Sequence, residues 1–210
     1  MTTNRKGILA VISGFSGAGK GTVTKRLVEK YPGYALSISV TSRDPRPGET
    51  EGQDYFFRSR EKIEEMIRDD QLIEYAEYVK NYYGTPREYV MKKLSEGLDV
   101  ILEIEMQGAA KVRKKFPECV LVFVTPPTFS DLRNRLRTRG SESEEVIAAR
   151  MERAVTECGY IDDYDYIAVN ETGKVEECVD KIHALLQSEH MKTVRNNEFV
   201  KELKSEAERS

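Results

Sequence analysis

The stretch on which the reading of this chain turns is Ile8-Leu9-Ala10-Val11-Ile12-Ser13-Gly14-Phe15-Ser16-Gly17-Ala18-Gly19-Lys20-Gly21-Thr22. An apolar run of strand length leads into a glycine-rich turn, and a helical pattern follows. Glycines at 14, 17 and 19 let the backbone wrap closely around an anion, so that successive N–H groups and the helix N-terminus point at it. Lys20 is then placed to reach the outer phosphates. The pattern G-x-x-x-x-G-K-Ser/Thr of phosphate-binding loops is met at Gly14, Gly19 and Lys20, but Gly21 stands where the hydroxyl belongs and Thr22 comes one residue late. Strand before and helix after are the context that favours nucleotide binding over an idle surface turn.

Outward from this loop, strands and helices alternate. The pattern predicts a strand over 8–13, a helix over 22–30 and a strand over 34–40. Residues 41–54 are rich in Arg, Pro, Gly and Glu without apolar period and read as a loop too long to be idle. A short strand at 55–57, a helix from Ser59 to about 70 and a strand over 72–79 follow, with Asn81-Tyr82-Tyr83-Gly84 read as a turn. This order does not fit parallel crossovers, so it marks an inserted lobe with a mixed sheet. The α/β rhythm returns with helices at 86–96 and 107–116 and strands at 100–104 and 120–124. Two charged helices at 129–138 and 143–157, a strand at 166–169 and a helix at 174–188 complete it. Residues 190–210 read as polar, weakly helical and without assigned function.

Composition narrows the function classes. The 210 residues suit one well-cored domain with smaller lobes, and 33 basic against 36 acidic residues give a net charge of −3. Nothing there favours a nucleic-acid surface. Cys119, Cys158 and Cys178 are odd in number and widely spaced, which argues against a disulfide framework or a zinc site and fits a reducing cytosol. No apolar run reaches the roughly 18 residues of a membrane span, and the N-terminus lacks a signal-peptide core, so the expectation is a soluble, cytoplasmic protein. His183 and His190 read as surface positions on a terminal helix, which leaves histidine acid–base chemistry out. Arg133, Arg135, Arg137, Arg139, Arg150 and Arg153 concentrate positive charge among several glutamates. Most of them read as a solvated face, while a lid closing over phosphate needs only a few.

Further stretches coincide with one family. The run Ser37 to Glu49 (SISVTSRDPRPGE), Asp54-Tyr55, Glu74, Asn81-Tyr82-Tyr83-Gly84-Thr85, Ile104-Glu105-Met106-Gln107-Gly108, and Arg135 with Arg139-Gly140 and Arg150 together resemble guanylate kinase over about 8–188, in the same order. The resemblance implies a three-layer α/β P-loop kinase core with a parallel sheet, an inserted mixed-sheet GMP-binding lobe and a helical lid. Its boundaries would be core at 1–34, GMP lobe at 35–94, core at 95–127, lid at 128–158, core at 159–190 and a polar tail at 191–210. It implies transfer of the terminal phosphoryl group of ATP to GMP or dGMP, with Mg²⁺ bridging the ATP phosphates and no assigned protein metal ligand.

By the same resemblance ATP is held by Gly14, Phe15, Ser16, Gly17, Ala18, Gly19, Lys20, Gly21 and Thr22, with adenine near Val169-Asn170. GMP is held by Ser39, Arg43, Arg46, Tyr55, Glu74, Tyr83, Thr85 and Glu105. Lys20, Arg43, Arg135, Arg139 and Arg150 would stabilise the transferring group. The chemistry is coherent: two guanidinium forks and two phenols suit a phosphate dianion, and carboxylates suit the N1 and N2 donors of guanine. An acceptor that is already an oxyanion needs no general base. Phe15 and Gly21 depart from the proline and serine common in such loops, Thr85 stands for a frequent serine, and Glu103 and Glu105 for frequent aspartates. Two readings compete: an inactive guanylate-kinase-like module that holds phosphopeptides, and a kinase for another nucleoside monophosphate.

Overall fold

The computed structural model describes residues 6–78, 80–138 and 143–209, and the side chain of Tyr78 is left aside. Five parallel strands form the main sheet in the order β2-β7-β1-β8-β9: β1 Leu9–Gly14, β2 Tyr34–Leu36, β7 Asp99–Glu103, β8 Val120–Thr125 and β9 Tyr166–Val169. The central strand β1 pairs Leu9 with Val100 on one side and Ala10 with Val120 on the other. Its near-continuous apolar sequence is what a strand covered on both faces requires.

Alternate side chains go to opposite faces, and they build two cores. Ala10, Ile12, Val122 and Val124 pack with residues of helices α1 Lys20–Lys30, α5 Phe129–Thr138, α6 Glu144–Cys158 and α7 Val175–His190. Leu9, Val11, Val100, Leu102 and Leu121 pack with residues of α3 Arg87–Ser95 and α4 Met106–Lys115. The result is the three-layer α/β arrangement that the sequence predicts.

The second sheet, β4-β3-β6-β5, comprises β3 Val40–Thr41, β4 Phe56–Phe57, β5 Leu72–Tyr78 and β6 Asn81–Pro86, with a small core of Val40, Ile63 and Leu72 beneath α2 Arg60–Arg68. The expected strand over 34–40 divides here. Ser37 N–H still bonds Ile101 O of the first sheet, whereas Ser39 O accepts from Phe56 N–H of the second, so the chain passes between sheets within three residues. The expected turn at 81–84 is instead strand β6. Tyr82, Tyr83 and Gly84 pair with β5, Tyr78 faces Asn81, and Lys80 takes the left-handed conformation (φ 63°). Aromatic residues suit a pleated surface, and the tight reversal lies one step earlier in the chain.

The C-terminal region is more ordered than its composition suggests. A 3₁₀ turn at Thr193–Arg195 leads to α8 Asn197–Ala207, and Arg195 ties it back to Glu118 O at 2.8 Å and to buried Glu189 at 3.3 Å. The two histidines are not surface positions. His190 Nε2 lies 2.8 Å from Oδ1 of buried Asp99, which also accepts from Ile8 N–H, while His183 stacks on Tyr31 at 3.7 Å and contacts Tyr34 OH. Both therefore pin α7 to the sheet. Among the described residues no helix is long and apolar enough to cross a membrane.

Candidate active site

Strand order reverses direction around β1, with β7 on one side and β8 on the other, so a crevice opens at the carboxyl end of β1. The glycine-rich loop fills that position. Gly19 has φ 91° and caps α1, where Val23 N–H bonds Gly19 O; a Cβ on Gly19 would lie 2.6 Å from the Asn170 amide. The helix thus begins at Lys20, two residues before the expected start. A Cβ on Gly14 would lie 2.0 Å from Val124 O, so the loop leaves the sheet in contact with backbone.

Lys20 is folded back over the loop, donating to Gly14 O at 2.8 Å and Phe15 O at 3.2 Å. Burial pushes its ammonium below the ordinary lysine value, opposed by the charges of Glu105, Glu103 and Glu157. Phe15 points away from the anion position into the core, edge-on to Phe123 at 4.9 Å. Its backbone serves the loop while its ring serves the fold. Thr22 is exposed on α1, and the Thr24 hydroxyl donates to Gly21 O at 3.2 Å or Glu103 Oε2 at 2.9 Å.

Two arginines, one from α5 and one from α6, meet this loop. Arg135 donates to Ala18 O (3.1 Å), Asn170 O (2.6 Å) and Thr172 Oγ1 (3.1 Å), and Arg150 donates to Ser16 Oγ. Asn170, 6% exposed, also gives its amide to Ala18 O at 2.9 Å. Arg139 lies outside the described residues.

The second sheet gathers the other predicted residues. Arg43 is held by both oxygens of Glu49, at 2.8 and 2.9 Å, and stands 5.4 Å from the Tyr55 ring; Tyr55 and Tyr83 meet edge-on at 6.1 Å. Glu49 also accepts from Arg46 N–H at 2.7 Å, so this carboxylate orders the arginine loop while the Arg46 side chain remains exposed. Arg43, which the resemblance places between donor and acceptor, is thus engaged here by Glu49. Glu49 falls inside the quoted run, yet its bond to Arg43 depends on a loop path that spacing does not give.

Deeper in, Thr85 Oγ1 donates to Glu74 Oε1 at 2.8 Å, both side chains being buried. Burial raises the Glu74 carboxyl above the ordinary carboxylate value, opposed by the Thr85 bond and by the charges of Lys111 and Lys115. A Cβ on Gly108 would lie 3.2 Å from Glu74 Oε2, so the bare first turn of α4 leaves room for that carboxylate. Glu105 caps the same turn and accepts from Arg153 Nη2 at 2.9 Å. Ser39 is half-buried at the crossing between the sheets. Sequence reading assigned no role to Glu49, Thr24, Gly108 and Arg153: Thr24, Gly108 and Arg153 meet Glu103, Glu74 and Glu105 from positions distant in sequence, and Glu49 meets Arg43 only through the path of the loop.

A parallel sheet, a glycine-rich loop at its switch point and arginines converging on that loop define a P-loop α/β protein. A family model described as guanylate kinase matches residues 6–189, and the chain belongs to the guanylate kinase family. It is 50% identical over 190 residues to a guanylate kinase of Oceanobacillus iheyensis, covering 90% of this chain and 91% of that protein. It is 46% identical over 207 residues to one of Caldanaerobacter subterraneus subsp. tengcongensis, covering 99% of this chain and 100% of that protein. The crystal structure of guanylate kinase from Anaplasma phagocytophilum superposes with a TM-score of 0.70 at 33% identity, covering 91% of this chain and 90% of that one.

Proposed function

We propose that this protein transfers the terminal phosphoryl group of ATP to GMP, giving ADP and GDP. The observation that carries the reading is the buried Glu74–Thr85 pair. A carboxylate that gives one oxygen to a hydroxyl keeps acceptor capacity for the N1 and N2 donors of guanine, whereas adenine presents the opposite polarity at N1. Ser39 and Glu105 complete the base contacts in this reading. Arg43, Arg46, Tyr55 and Tyr83 take the acceptor phosphate, which competes with Glu49 for the Arg43 guanidinium.

On the donor side, residues 14–22 wrap the ATP phosphates, and Lys20 leaves the Gly14 and Phe15 carbonyls to meet them. Arg135, Arg139 and Arg150 neutralise charge on the group in flight. Residues 35–94 form the GMP lobe and 128–158 the lid, and their closure excludes water from the transfer. The acceptor oxygen attacks directly, and the departing ADP keeps its bridging oxygen, so no side chain has to move a proton.

Mg²⁺ fits the donor set as a hard cation held largely through water. Gly21 offers no hydroxyl, but a Cβ there would stand 3.4 Å from the Glu103 carboxylate, and Thr24 holds the other oxygen of that group. Glu103 is thus the carboxylate that would hold the hydrated metal, and the metal would supply neutralisation of phosphate charge. A cytoplasmic setting accords with three free cysteines, of which the buried Cys119 and Cys178 have thiols pushed up to about 11. Neither competing reading, phosphopeptide module or kinase for another monophosphate, has an observation in its favour. Phosphorus NMR of a mixture of the protein, Mg²⁺, ATP and GMP tests the reaction: GDP and ADP should appear in equal amounts, and ADP without GDP would reject it.

A further inference from the structure

Helix α6 touches both halves of the site. Arg150 reaches Ser16 of the phosphate loop, and one turn later Arg153 reaches Glu105 at the start of α4. Arg153 is itself fixed by a second bond, Nε to Oε1 of buried Glu157 at 2.7 Å, an i,i+4 pair on the same helix. Its guanidinium therefore spans two carboxylates and engages Glu105 through Oε2.

We propose that Arg153 is a positioning residue for the acceptor base, holding the Glu105 carboxylate toward guanine and linking base recognition to the placement of the lid helix. The inference rests on the reading of Glu105 as a guanine contact. Glutamate has one more rotatable bond than the aspartate frequent at this place, so it reaches further but needs something to fix it. Arg153 supplies that restraint. The restraint is also electrostatic, because Glu103, Glu105 and Glu157 all act on Lys20 and Arg153 is the cation that offsets them. The side chains of the Arg153–Glu105 pair are 55% and 58% exposed, so the pair contributes little to folding and its value lies in orientation.

The test is steady-state kinetics of R153M and R153K beside E74Q, with circular dichroism to check that each is folded. R153M should raise KM for GMP about tenfold, the loss of one charge-assisted contact, while kcat and KM for ATP stay within about threefold. R153K should fall between R153M and the parent, because an ammonium keeps the charge but lacks the planar fork that fixes the direction of the Glu105 carboxylate. An unchanged KM for GMP in R153M, or a parallel loss in kcat and in both KM values, overturns the inference. If E74Q weakens GMP and R153M does not, only the positioning role fails; if neither does, the assignment of the base pocket fails with it.

Discussion

Thr85 and Glu74 face each other across β6 and β5, hydroxyl to carboxylate at 2.8 Å, both buried from water. In the function proposed above the pair joins fold and chemistry, because the carboxylate is costly to bury and is the group that would receive guanine. Its folded-state pKa is raised, so ionised Glu74 disfavours the folded state at neutral pH. That cost disappears as pH falls through the folded pKa and is absent below the unfolded one.

E74Q should therefore raise the melting temperature of the ligand-free protein at pH 7, and the gain should vanish near pH 4. GMP binding should weaken in the same variant, since an amide offers a single acceptor oxygen. Calorimetric melts at the two pH values, with titrations of GMP and ADP, measure both. A variant less stable at pH 7, or one that loses ADP but keeps GMP, would contradict this account of Glu74.

Lys20→Met should lower kcat by a factor on the order of 10² or more, the scale expected for loss of a principal electrostatic contact to the transferring group. The fold should survive. Lys20 meets the loop through two carbonyl bonds, and its ammonium is disfavoured by burial, so a methionine of similar length keeps the stem packing. Activity within a few-fold of the parent at unchanged melting temperature would remove Lys20 from the mechanism.

Gly19→Ala should destabilise the protein by about 1 kcal/mol or more and abolish ADP binding. A left-handed φ of 91° strains any Cβ, and here the new atom would meet the Asn170 amide at 2.6 Å. Urea unfolding and ADP titration check the two effects; a stable variant that binds ADP normally would contradict the loop geometry.

Arg135 and Arg150 already contact the phosphate loop, whereas Arg43 is engaged by Glu49. A ligand carrying both nucleotides should draw these arginines to one phosphate chain and compact the molecule. Small-angle scattering with a bisubstrate nucleotide should show a reduced radius of gyration, and an unchanged one would count against closure.

Much of the fold is legible in the sequence because periodicity reports burial. The run 8–13 announces a strand covered on both faces, and the aperiodic 41–54 announces the arginine loop. What escaped depends on partners that sequence spacing does not reveal. Tyr82-Tyr83-Gly84 has turn-like composition but becomes a strand because β3 and β5 flank it. His190 belongs to a polar tail by composition, yet Asp99, 91 residues earlier, draws it inward. The candidate residues Arg43, Glu74 and Lys20 are named by motif and resemblance, while the contacts of Glu49 and Arg153, which hold two of the expected residues in place, are not.

The most direct test of the central claim is the ratio of kcat/KM for GMP to that for AMP, measured with ATP as donor. A pocket built to hydrogen-bond its ligand rejects the mismatched analogue by roughly 10⁴ to 10⁵, because buried polar groups are left unpaired. A GMP preference of that order, reduced in E74Q, is the result expected from the Glu74–Thr85 pair. Equal turnover of AMP and GMP by the parent protein would contradict it.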